Sequence, residues 1–141
     1  MDADAVLSLG IREAEGLVRA FTDAGFDAQL TRGDFDDPIS GLLKVSDRFE
    51  NRVDLLIGLR GLDPQAFARA IEVPFQGGIL RFVGREDFIA MKVFAGGPVD
   101  LVDAARAIAA GGETLDRDLL HRLAKKFGRD ASEALHRLLT S

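Results

Sequence analysis

The sequence predicts an α+β chain: an α/β part, residues 1–84, with a C-terminal helical part, residues 85–141, packed on it as a single compact unit. Three observations predict this. Between residues 26 and 83, short apolar runs rich in Val, Ile, Leu and Phe alternate with Gly, Asp and Pro clusters, the pattern of strands and turns. From residue 85 onward the apolar residues recur three and four apart, with glycines at 96–97, 111–112 and 128 as stops, which is the helical period. The 141 residues are 47% hydrophobic and 29% charged, a globular balance in a chain long enough to bury a core.

The elements follow in order. "REAEGLVRAFTD", residues 12–23, puts Leu17, Val18 and Phe21 on one stripe and stops before Gly25, so an amphipathic helix is predicted there. Strands are predicted at 26–31, 41–45, 52–59 and 78–83, and a short helix at 63–71, with Asp63 as N-cap and Pro64 at its first position. Helices are predicted at 86–95, 98–110, 115–127 and 129–139. No internal repeat or low-complexity segment interrupts the series.

Composition excludes several functions. A net charge of −5 argues against coating duplex nucleic acid, which calls for an exposed basic field. With no cysteine there are no disulfides, thiol catalysis or Cys-ligated zinc. His121 and His136 fall in separate predicted helices without a nucleophile pattern, so neither is assigned a catalytic role. No glycine pattern matches a phosphate-cradling loop. No apolar run approaches the roughly 20 residues of a membrane helix, and "MDADAVLSLG" lacks the basic start of a secretory signal. A cytoplasmic location without membrane partners is the expectation.

Two places carry awkward charge. In "RVDLLIGL", residues 52–59, Val53, Leu55, Ile57 and Leu59 face one way, and Asp54, Leu56 and Gly58 the other. Both faces are largely apolar, so the strand is predicted to be central, and a carboxylate there needs a partner or a ligand. Arg52 or a neighbouring basic residue is the plain structural partner. In "EDFIAMKVFAGGPVDLVDAARAI", residues 86–108, Lys92 lies one turn beyond Phe88 and Ile89, while Asp100 and Asp103 form a like-charge pair three apart. The bland assignment has Asp100 favouring its helix N-terminus, Asp103 pairing with Arg106, and Lys92 solvated.

The order "RVDLLIG", short helix, strand, "REDFIAMKVFAGGPVDLVDAARAI" and "LDRDLLHRLAKKFG" resembles the AbiEii-type abortive-infection nucleotidyltransferase-like proteins of the polymerase-beta-like superfamily. The resemblance implies a truncated nucleotidyltransferase-like mixed sheet with flanking helices, then a C-terminal helical bundle. It identifies Asp54 with the third catalytic and metal-binding carboxylate, and Lys92 with a catalytic lysine near the nucleotide phosphates. Asp100 and Asp103 match the two aspartates of the following helix, on the substrate side. Where the family often has an arginine and a lysine before that helix, this chain has "GGPV".

The superfamily's Gly-Ser turn and Asp-x-Asp strand are expected to be missing or degenerate. Asp2-Ala3-Asp4 is read either as a remnant of the metal-binding pair or as lying beyond it, through a late or truncated start. Both aspartates are expected to hang from an unsupported terminus and so to leave any two-metal site incomplete.

Three functions are therefore implied. The first is a truncated or degenerate relative that binds a nucleoside triphosphate weakly, linked to a toxin–antitoxin system and an antitoxin partner. The second is an active nucleotidyltransferase, using Mg²⁺ on Asp2, Asp4 and Asp54 to modify an RNA or protein acceptor. The third is a non-catalytic homodimeric module whose partner copy covers an exposed sheet edge.

Overall fold

The computed structural model describes residues 2–141, and its first element is a strand where a loose terminus was predicted. β1 (Asp2–Leu7) is followed by α1 (Ile11–Asp23), β2 (Asp27–Arg32), β3 (Gly41–Ser46) and β4 (Arg52–Ile57). The fold is α+β, and the chain divides into two units, Met1–Arg60 and Gly61–Ser141.

In the first unit the strand order is β1-β4-β3-β2, with β1 parallel to β4 and the other pairs antiparallel, so the sheet is mixed and β4 is an inner strand. Alternation builds its core. Leu43, Val45, Leu55 and Ile57 are buried together with Ala14 of α1, and the predicted stripe of Leu17, Val18 and Phe21 packs against them. Ala5 and Leu7 of β1 join the same cluster. Asp2, Asp4 and Val6 consequently fall on the opposite face. The β3–β4 turn is closed by Asp47, whose Oδ1 accepts from the amides of Phe49 and Asn51, a side chain acting as turn backbone.

The second unit opens with a single 3₁₀ turn, Pro64–Ala66, capped by the Asp63 carboxylate accepting from the Gln65 amide. The start was placed correctly and the length was not, since the chain enters β5 (Ile71–Phe75), a strand unforeseen in the sequence. β5 pairs antiparallel with β6 (Gly78–Phe82). Their link is the two-residue turn Gln76-Gly77, both at positive φ, as a tight hairpin of native twist requires.

α2 (Arg85–Ala95), α3 (Pro98–Gly111), α4 (Arg117–Phe127) and α5 (Arg129–Thr140) complete this unit. Their core holds Ile89, Val93, Ala104, Leu120, Leu123 and Leu135. α4 begins two residues after the expected point because Leu115 is extended and Asp116 is the N-cap, accepting from the Leu119 amide. No helix among the described residues is long and apolar enough to cross a membrane.

Candidate functional site

The first set of candidates lies in the sheet of the first unit. Pairing in register sets Asp4 opposite Asp54, and Asp2 opposite Arg52, across the parallel β1–β4 ladder. Partners in a parallel pair present their side chains to the same face, as do residues two apart on one strand. Asp2, Asp4 and Asp54 therefore share the face away from α1. Lys44 stands opposite Asp54 on the other side, in β3. This corrects the expectation of an unsupported terminus: the ladder to β4, together with Ala5 and Leu7 in the core, positions both aspartates.

Asp54 is the most enclosed of the three, with its side chain 18% exposed. Arg52 Nε lies 3.2 Å from Asp54 Oδ1. That ion pair lacks hydrogen-bond alignment, and Oδ1 is buried with no donor among the described residues. A carboxylate oxygen in that state is short of a partner, and a second carboxylate at the opposed position of β1 raises the demand for a cation.

Carboxylates are the hard oxygen donors that Mg²⁺ takes. Among the described residues no three His, Cys, Asp or Glu side chains already stand close enough to hold a metal ion. Asp2 and Asp4 are exposed, so their side chains are free to turn toward Asp54. The donor types, their common face and the undonated oxygen fit a divalent cation, with Asp2, Asp4 and Asp54 as the residues that would hold it.

The second set lies in the second unit, where "GGP" has a local logic. Gly96 ends α2 in the left-handed region, at φ +69, with its amide donating to the Lys92 carbonyl. A Cβ on Gly97 would come within 2.9 Å of Asp100 Oδ2, and Pro98 occupies the first turn of α3. This tight reversal sets the last turn of α2 beside the first turn of α3. Lys92 Nζ donates to Asp100 Oδ1 at 2.8 Å and lies 3.0 Å from Asp103 Oδ2. The ammonium is also 5.7 Å from the centre of the Phe88 ring.

Asp103 thus pairs with Lys92 and not, as the bland assignment had it, with Arg106. The Asp100 bond first, and Asp103 second, hold the Lys92 ammonium above its ordinary pKa, against a smaller desolvation effect. The three awkward charges of this segment account for one another within one helical hairpin.

Neither a protein-family model nor a curated protein matches this chain.

One charged residue escaped the sequence reading altogether. Asp87, in the first turn of α2, is 2% exposed, and its carboxylate receives Arg69 Nε at 2.7 Å and Nη2 at 2.8 Å. Lys126 Nζ and Arg69 also approach Asp63, at 3.1 and 3.8 Å. An aspartate in a first turn normally reads as favourable to the helix dipole. Its distance from Arg69 in sequence hides the pairing.

Proposed function

We propose that this chain is a nucleotidyltransferase-like protein that binds a magnesium–nucleoside triphosphate on the Asp2, Asp4 and Asp54 face. The observation carrying the reading is the β1–β4 register, which gives an Asp-x-Asp pair a third carboxylate on the adjacent parallel strand. When bound, Mg²⁺ polarises phosphate oxygens and offsets the charge that develops on them. Asp54 Oδ1, with no donor among the described residues, is the oxygen that accepts the proton of an attacking hydroxyl on an RNA or protein acceptor. Arg52, already beside Asp54, limits carboxylate repulsion before cation arrives.

Binding is modest in this reading, because ligand must compete with Arg52 at Asp54. A dissociation constant on the order of a millimolar is expected. Calorimetric or NMR titration with magnesium nucleotide tests it. Asp4→Asn and Asp54→Asn should each weaken binding at least about tenfold, with a reduced salt dependence. Equal affinity in wild type and both aspartate variants removes the metal face from the reading. Transfer of labelled nucleotide to an RNA or protein, lost in Asp54→Asn, distinguishes an enzyme from a binding module.

A further inference from the structure

The β5–β6 hairpin has one face with no charge on it. Ile71 pairs with Phe82 and Val73 with Leu80, and Phe75 lies on the same side two residues on. All five are exposed, between 41% and 55%. The opposite face is mixed: Glu72 and Arg81 pair across the strands at 3.7 Å, beside Pro74 and Ile79. Arg81 Nη2 also donates to the Phe67 carbonyl, which ties the mixed face to its own chain.

We infer that the apolar face of the β5–β6 hairpin joins a second copy of this chain in a twofold homodimer. Charge selects the occupant. The face carries no basic residue to meet nucleic acid or an anionic membrane, and the whole chain is acidic, at −5. Two such faces meeting across a twofold axis bury no charge and oppose none, because Glu72 and Arg81 point away and neutralise each other.

Area agrees. At the observed exposures the five side chains present on the order of 500 Å² per copy, at the upper end for an apolar patch on a monomer. Two copies bury on the order of 1,000 Å², the lower bound for a specific interface. A reversible dimer with a dissociation constant of tens of micromolar, on the order of 50 µM, is expected. This surface is distinct from any open edge of the four-stranded sheet.

The chain has neither Trp nor Tyr, so Phe75→Trp supplies a single fluorophore on the face. Sedimentation between about 5 and about 500 µM should show the mean mass rising toward twice the monomer's, with the Trp emission shifting to the blue over the same range. Val73→Glu combined with Leu80→Lys keeps an opposite-charge pair across the hairpin and should hold the chain monomeric throughout. Ile79→Glu, on the other face, should leave association unchanged within about twofold. A mass that stays monomeric at every concentration overturns the inference. So does a dimer whose formation leaves the Trp emission unmoved, or one that forms equally well in the paired variant. Vesicle binding that moves the Trp emission while the mass stays monomeric assigns the face to a lipid surface and overturns the dimer too.

Discussion

Lys92 shows how a residue's partners fix both its stability contribution and its pH dependence. Its side chain is 26% exposed, with Asp100 and Asp103 at 2.8 and 3.0 Å. Lys92→Met removes two ion pairs and leaves two adjacent carboxylates without a cation, so a loss of about 1–2 kcal/mol is expected in urea unfolding. Because the folded-state pKa is raised, this stabilisation is complete below the unfolded lysine value of about 10.4 and fades as pH climbs through the folded one. The gap between wild type and Lys92→Met should therefore be constant from neutral pH to about pH 10 and narrow above it. Asp63 has the opposite sign. The Gln65 amide first, and Lys126 second, hold its carboxyl below the usual carboxylate value. Its contribution is present above the unfolded value of about 3.9 and is lost as pH falls through the folded one. Asn still caps a helical turn, so Asp63→Asn isolates the charge. It should cost about 1 kcal/mol at pH 7, and almost nothing at about pH 2; an undiminished gap in acid would show that the carboxylate charge is not what matters.

At the scale of elements, α2 is fixed to the segment before β5 by the Arg69–Asp87 fork. Asp87→Asn keeps the shape and removes the charge that Arg69 faces in a nearly closed site, so a loss of about 3 kcal/mol is expected. Arg69→Met with Asp87→Leu should recover most of it, since apolar packing can replace a buried pair; a double variant no more stable than Asp87→Asn would mean that the fork's geometry, and not its desolvated charge, holds the helix. The helices were legible because their periods and stops are local: Gly96, Gly112 and Gly128 close α2, α3 and α4 at positive φ. β1 and β5 were not. β1 turns Ala3, Ala5 and Leu7 one way, but alanine and aspartate are poor strand formers, and only the ladder to β4 gives the segment its form. β5 carries Pro74 at mid-strand, a residue that normally argues against a strand; a two-stranded hairpin has only edges, so the missing amide is tolerated. The candidate site divides in the same way. Lys92, Asp100 and Asp103 stood out as charges at helical spacing in an apolar stripe, whereas the register that places Asp4 opposite Asp54, and the pairing of Asp87 with Arg69, depend on contacts distant in sequence.

At the scale of the whole molecule, the described residues hold two clusters of buried apolar residues that share no member. One is built from α1, β3 and β4 around Leu43 and Ile57; the other from α2 to α5 around Ile89, Leu120 and Leu135. Each is small, so truncating a fully buried leucine removes a large share of its contacts. Leu43→Ala and Leu120→Ala should each cost about 3 kcal/mol, combining lost transfer energy with the cavity left behind. The division into Met1–Arg60 and Gly61–Ser141 predicts where that cost is felt. A cooperative unit opens as a whole, and a destabilised one exposes its own amides without those of its neighbour. Leu43→Ala should therefore accelerate amide exchange in β3 and β4, by on the order of a hundredfold for a loss of that size, while α4 and α5 keep wild-type rates; Leu120→Ala should do the reverse. If either substitution accelerates exchange equally in β4 and α4, the two clusters unfold together, and the division seen in the contacts is not a division in free energy.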